Sequence, residues 1–196
     1  SSFNGSQINF KGLKGFNMSL IRGLSFFGLC FAFVVIALGA WTRLVDAGLG
    51  CPDWPGCYGF VVFPTTEAEI LIAEQRFPQF PYEIDKAIPE VVHRYFAAAL
   101  GFIAILLVFF SFKHKLPSRI KAIASFLLFF ICCQGLFGYL TVSLKLLPII
   151  VTGHLFGGFI TLSLFFYLFL TTSDGIKNHQ IGHLKVLGGI ALIALL

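Results

Sequence analysis

The chain has 196 residues, of which 57% are hydrophobic and 12% charged, and its net charge is +5. Its mean hydropathy is +0.88. Soluble domains usually carry about 25% charged residues, so this composition excludes an ordinary soluble enzyme and favours a polytopic membrane protein. Nothing in it indicates a nucleic-acid partner.

Both ends of the chain look interrupted. The only methionine is Met18, and the chain stops at Leu196 inside an apolar run. We expect residues 1–17 to be a tag or a non-native, disordered N-terminus. Residues 18–171 would form the folded bundle, and residues 172–196 a cytoplasmic loop and a truncated fifth span.

Four stretches are long and apolar enough to cross a bilayer, which takes about 20 residues in a helix. They cover approximately residues 20–42, 91–112, 120–143 and 148–171, and a fifth begins near Lys185. The predicted fold class is therefore an all-α polytopic membrane protein. It would contain a four-helix transmembrane bundle and the start of a fifth span.

The distribution of charge predicts the orientation of the spans. The connection 112–121 carries four basic residues and no acid, whereas the loop 43–90 holds eight of the nine acidic residues. Positively charged loops stay in the cytoplasm. We therefore expect the N-terminus and the 112–121 connection to be cytoplasmic and the loop 43–90 to be outside.

The stretch GLGCPDWPGCYG, residues 48–59, places two cysteines in a turn rich in glycine and proline. Disulfides persist outside the cytoplasm, so Cys51 and Cys57 are predicted to form a small disulfide ring. The alternative is two free thiols in a turn. The spacing does not match a zinc knuckle, and no CxxCH motif for covalent haem attachment is present.

Two further segments of the loop have recognisable patterns. TEAEILIAEQRF, residues 66–77, places apolar residues on one helical face, which predicts a helix on the membrane surface or packed on the loop. PQFPYEIDKAIP, residues 78–89, is interrupted by prolines and is predicted to be extended.

Two histidines lie at similar depth near the outer ends of spans that run in the same direction. Intramembrane ionisable residues are costly and favour a functional interpretation. His93 and His154 would suit a haem iron, one on each axial side, and Gly101, Gly157 and Gly158 would let a flat macrocycle approach the backbone. Alternatively, each histidine bonds a neighbouring helix, and the glycines only allow close packing.

Charged residues accompany the histidine pair. Glu90 precedes His93 by three residues and shares its helix face, so it can move protons; alternatively it pairs with Arg94 or stabilises a helix N-terminus. Arg43, Arg94 and Lys145 fall near the outer interface. They can bind haem propionates or extend to lipid phosphates.

The sequence contains a short internal echo. Span one ends in GAWT, residues 39–42, and span three ends in GYLT, residues 138–141. Each is followed by an outer loop and then by a histidine near the start of the next span. Repeated two-helix units are common in membrane proteins, but this match is too short to establish a duplication.

Three blocks together resemble the haem A synthases, membrane enzymes that make haem A for terminal oxidases. The blocks are GAWTRLVDAGLGCPDWPGCYG (39–59), EVVHRYFAAALG (90–101) and QGLFGYLTVSLKLLPIIVTGHLFGG (134–158). The resemblance extends over about residues 20–171, and the first block is its most specific part.

The resemblance implies eight spans in two similar four-helix halves, of which this chain would be the N-terminal half. That half would bind the substrate haem O through His93 and His154 as axial iron ligands. Glu90 would assist the oxidation of a porphyrin methyl group to a formyl group by successive hydroxylations. Cys51 and Cys57 match the family's outer-loop pair, whose disulfide would stabilise the loop or pass electrons.

The resemblance also implies a haem b cofactor in the C-terminal half and a location in the bacterial plasma (inner) membrane. Haem O synthase and oxidase assembly factors would be partners, and the protein would form a homo-oligomer. The chain departs from the family pattern by stopping early in span five, so we expect catalysis to need the missing half. Arg94 is followed by YFAAALG rather than by an arginine-rich continuation.

Three other functions remain open from the sequence. A bis-histidine membrane cytochrome that only transfers electrons explains the histidines but gives Glu90 no task. A transporter half with proton-relay histidines predicts no Soret band. A structural assembly factor without a ligand predicts that both histidines are dispensable.

Overall fold

The computed structural model describes residues 4–173, with side chains from residue 15 onward. It contains five helices: α1 (Asn4–Leu44), α2 (Glu67–Arg76), α3 (Ile84–Lys113), α4 (Ser118–Ser143) and α5 (Pro148–Thr172). Four of them, all except α2, are long and apolar enough to cross a membrane. The predicted all-α polytopic fold class is therefore confirmed for the described part of the chain, and the expected fifth span lies outside it.

The four long helices form a ring. α3 and α5 each pack against both α1 and α4, so α3 lies diagonally opposite α5, and α1 lies diagonally opposite α4. We call the end that carries the connection between α3 and α4 the basic end. The end that carries the connection between α1 and α3 is the loop end.

The tightly packed core lies towards the basic end of the bundle. Each long helix contributes fully or nearly fully buried side chains to it, namely Ile21, Val35, Leu100, Leu107, Leu127, Phe165 and Leu168. Lipid is as apolar as these side chains, so close van der Waals packing is the force that holds spans together. One close approach is at Gly28, where an added Cβ would overlap the ring of Phe165.

The connection 45–83, which we call the cap, covers the loop end with its own small core. Cys51, Cys57 and Tyr58 pack there with Ala73 of α2, and Val91 of α3 is part of the same cluster. Burial, followed by the nearby charge of Glu83, raises the pKa of Tyr58 to about 12. The cap is thus a folded unit joined to the start of α3.

The helix α2 confirms the predicted helix within residues 66–77. The Thr66 side chain accepts a hydrogen bond from the Glu69 backbone, and the Glu69 carboxylate accepts one from the Thr66 backbone. Such reciprocal caps satisfy amide donors that the first helical turn leaves open. The capping interactions of Thr66 therefore determine that α2 begins at Glu67.

The prediction of an extended conformation is wrong for the second half of residues 78–89. α3 begins at Ile84 and continues through Pro89. A proline inside a helix removes one backbone hydrogen bond. Here Ala87 and Val91 are buried in the cap cluster, and this packing outweighs the lost bond.

Two glycines of α1 give a matched test of the packing. Gly28→Ala should lower the free energy of unfolding by about 1–3 kcal/mol, the usual effect of overpacking, because its Cβ would meet Phe165. Gly23→Ala should be neutral or stabilising by up to about 1 kcal/mol, because nothing lies within 4 Å of its Cβ position. Thermal unfolding of both variants in detergent measures this, and equal midpoints would contradict the packing.

Candidate functional site

The predicted histidines face each other across the diagonal of the bundle. His93 lies on α3 and His154 on α5, with ring centroids 6.5 Å apart and ring planes at 85°. The Nδ1 atoms of both rings are buried without a hydrogen-bond partner among the described residues. Such unpartnered groups are costly in an apolar interior, which indicates that a ligand completes them.

Each histidine ring lies against a glycine of the preceding span. A Cβ on Gly39 would lie 2.9 Å from Cε1 of His93, and one on Gly138 would lie 3.7 Å from Cε1 of His154. These glycines begin the repeated tetrapeptides GAWT and GYLT. The sequence echo therefore corresponds to a repeated contact between a glycine and an imidazole. At Gly39 the missing side chain makes room for the ring, whereas a Cβ on Gly138 would be in ordinary contact with it.

The His93 ring also has a contact that fixes its orientation. A hydrogen bond joins the ring to the backbone of Val35, one turn before Gly39. Histidines that bind a metal commonly use one nitrogen for the metal and donate the other N–H to a backbone carbonyl. The Val35 contact leaves Nδ1 of His93 without a partner among the described residues.

The bundle is loosely packed around the two rings. On α4 the last buried residue is Leu127, and on α5 the first is Gly157. Residues 128–143 of α4 and residues 148–156 of α5 therefore contain no fully buried residue, although the basic-end part of the bundle and the cap are both packed. The histidines lie in the layer between these two apolar clusters.

Glu90 is buried, with 4% of its surface exposed, and both of its oxygens are engaged. Oε1 forms a short ion pair with Nη2 of Arg94, and Oε2 accepts a hydrogen bond of 2.9 Å from the backbone of Cys51. The carboxylate thus connects the helix face of His93 with the cap.

Arg94 extends this connection. Its Nη1 donates to the backbone oxygens of Asp53 and Gly56, at 2.9 and 2.6 Å, and lies 3.4 Å from that of Pro55. The segment 51–57 is closed by a disulfide between its terminal cysteines. The guanidinium therefore fills the inside of the disulfide loop and fixes it above α3.

Arg43 differs from Arg94 in its surroundings. It lies in the last turn of α1, it is exposed, and within the described residues it has no hydrogen bond or ion pair. Its charge is therefore available to an anionic group near the loop end, whereas that of Arg94 is already neutralised by Glu90.

The arrangement fits a haem. Two imidazoles that bind one metal at about 2.0–2.1 Å per nitrogen would have centroids roughly 6 Å apart, close to the observed separation. The described residues contain no group of three or more His, Cys, Asp or Glu side chains suited to a metal ion. The site therefore offers an axial pair, which a haem iron needs, and lacks the larger ligand set of a mononuclear metal centre.

Side chains of neighbouring helices lie against the glycines predicted to admit a macrocycle, and a Cβ on Gly101 would lie 3.7 Å from Ile131. A Cβ on Gly157 would overlap the amide of Gln134, and one on Gly158 would lie 3.4 Å from Ile36. Side chains already cover both positions. Gln134 was not predicted as a site residue, although an amide in a strongly apolar span is an unusual feature.

Comparisons with known proteins identify the family of the chain. A family model described as "Cytochrome oxidase assembly protein" (COX15-CtaA) matches residues 22–196. A curated "Heme A synthase" from Shewanella oneidensis is 45% identical over 144 residues, which are 74% of this chain and 43% of the relative. A second from Mesorhizobium japonicum is 29% identical over 113 residues, which are 51% of this chain and 31% of the relative.

The chain thus spans less than half the length of the curated relatives that it matches. No solved structure matches it at a significant level.

The Arg94 contacts predict a coupling between this side chain and the cap. Arg94→Met should accelerate amide hydrogen exchange in residues 50–60 by roughly tenfold or more, because hydrogen bonds to a charged group each contribute about 1.5–3 kcal/mol. Arg43→Met should leave this exchange unchanged. Equal exchange rates in the two variants would show that Arg94 does not hold the cap.

Proposed function

We propose, from the premise that this chain belongs to the COX15-CtaA family of cytochrome oxidase assembly proteins, that it forms the substrate-binding part of a haem A synthase. In this proposal His93 and His154 bind the iron of haem O as axial ligands. The observation that carries it is the pair of facing imidazoles whose Nδ1 atoms lack partners. Relatives named "Heme A synthase" support the choice of haem.

The reaction converts a methyl substituent of the porphyrin into a formyl group, which replaces two hydrogens on that carbon by one oxygen. With water as the source of that oxygen, this oxidation releases protons near the bound substrate, and its electrons pass to the haem b expected in the second half. Glu90 lies one turn before His93 on the same helix face, so we assign it the role of proton acceptor. The loosely packed layer between the cap and the bundle core holds the macrocycle.

The two arginines have separate tasks in this proposal. Arg43 has no partner among the described residues and would bind a propionate as a cation facing a carboxylate. Arg94 was predicted to do the same, but its donors bind Glu90 and the cap. It therefore contacts the haem site through Glu90 and the disulfide loop, which it positions.

The wider setting follows from the same proposal. In this proposal the protein lies in the bacterial plasma membrane. The cap lies outside, because the basic connection between α3 and α4 favours the cytoplasmic side. A second half carries haem b. Haem O synthase would supply the substrate and oxidase assembly factors would receive the product, and the protein would form a homo-oligomer.

The first test concerns the axial ligands. The protein at its natural length should carry haem O or haem A, and His93→Ala together with His154→Ala should remove these types from the extracted haem. Absorption spectra and pyridine haemochrome analysis measure this. His114→Ala is the control, because this histidine stacks on Phe110 at the basic end. Absence of haem from the unchanged protein in haem-replete cells would refute the proposal.

The second test separates catalysis from electron transfer alone. Glu90→Gln keeps an oxygen that accepts from the Cys51 backbone but loses the charge and the proton-accepting group. Substrate haem should remain bound, whereas formation of the formyl product should fall by roughly a hundredfold, the usual contribution of a general base. Chromatography of extracted haem measures the product, with Glu83→Gln as control. Undiminished conversion would exclude the assigned role.

A further inference from the structure

The amide of Gln134 is an unexplained polar group of the bundle. Hydroxyl side chains of the spans commonly donate to a carbonyl in the preceding turn of their own helix, as Ser25 does to Ile21 and Thr161 does to Gly157. Gln134 forms no hydrogen bond with any residue that the structure describes. Polar groups at membrane depth are usually paired, so this amide needs a partner beyond those that the described residues supply.

Gln134 is held beside the histidine layer. Its amide occupies the space that the missing side chain of Gly157 leaves on α5. Gly157 follows His154 by three residues, and Gly138, which faces the His154 ring, follows Gln134 by four. Residues three and four apart share a helix face. Gln134 therefore lies about one turn, roughly 5.4 Å, deeper than His154 on the face of α4 that borders the site.

The arrangement of the helices determines what this face meets. The two imidazoles project from α3 and α5, which are diagonally opposite. The plane of a flat ligand bound between the two imidazoles is perpendicular to the line that joins the rings. Its edges therefore point towards α1 and α4. An amide on α4 is therefore at the edge of the ligand, where a porphyrin carries its substituents.

We propose that Gln134 is a specificity-determining residue that donates a hydrogen bond from its amide to the oxygen on the substituent being oxidised. This inference rests on the proposed function and adds the recognition of the oxygenated states. A methyl group cannot accept a hydrogen bond, whereas the alcohol and the aldehyde that replace it can. The amide therefore favours the partly oxidised macrocycle and retains it until the formyl group has formed.

The chemistry predicts a preference of modest size. A neutral hydrogen bond at a site that otherwise leaves the donor unpaired changes affinity by roughly three- to tenfold. We expect the protein to bind formyl-bearing haem more tightly than methyl-bearing haem by this factor. Gln134→Met, which keeps the length of the side chain but removes the amide, should abolish the preference.

The experiment uses the protein at its natural length, loaded with haem A and purified in detergent. Resonance Raman spectroscopy reports the stretching frequency of the formyl C=O, which falls when the oxygen accepts a hydrogen bond and is absent from haem b. The unchanged protein should show the lowered frequency, and Gln134→Met the higher frequency of a free formyl group. Leu136→Met is the control, because Leu136 is 57% exposed on the outer surface of α4.

The outcomes separate this inference from the proposed function. The same formyl frequency in the unchanged protein and in Gln134→Met, with the bis-histidine absorption spectrum intact in both, overturns the role of Gln134 alone. If the unchanged protein binds no haem A, both proposals fail. A frequency shift in Gln134→Met but not in Leu136→Met, together with loss of the affinity preference, establishes the hydrogen bond.

Discussion

Two imidazoles that face each other inside an apolar bundle are the constraint on which the rest of the structure depends. Their Nδ1 atoms are buried without partners among the described residues, and such groups carry a desolvation cost. Gly39 keeps room for the His93 ring, and residues 128–143 of α4 and 148–156 of α5 contain no fully buried residue. In the proposed function, a single ligand between the imidazoles accounts for these features.

The cap closes this layer through an ion pair rather than through an apolar contact. Glu90 and Arg94 are both largely removed from water, and a buried charge is tolerated only when its remaining hydrogen-bonding groups are also satisfied. Here the Cys51 amide and the carbonyls of the disulfide loop satisfy them. Because these partners belong to the cap, the position of Glu90 beside His93 depends on the folding of a segment outside the spans.

Packing is divided unevenly along the bundle. Towards the basic end, Leu107, Leu127 and Phe165 interlock at full burial and hold the four spans in one arrangement. Towards the loop end, residues 128–143 of α4 and 148–156 of α5 contain no fully buried residue. The packed basic end therefore fixes the spacing of the two histidines, which lie on opposite helices.

Much of the molecule follows from the sequence alone, because local patterns determine it. Apolar length specifies the spans, the Thr66–Glu69 capping box specifies α2, and the distance of each histidine from its span end specifies a common depth. The short GAWT and GYLT echo already placed a similar segment before His93 and before His154. These features depend only on residues close together in the chain.

Tertiary structure decided which groups meet. Only the rotation and packing of the helices place His93 diagonally opposite His154. The same packing puts the Gln134 amide against Gly157. It also brings Arg94 within hydrogen-bond distance of the carbonyls of the disulfide loop. Pro89 became helical because cap residues distant in the chain bury its surroundings. Each of these contacts joins residues far apart in sequence, so no local periodicity or propensity specifies it.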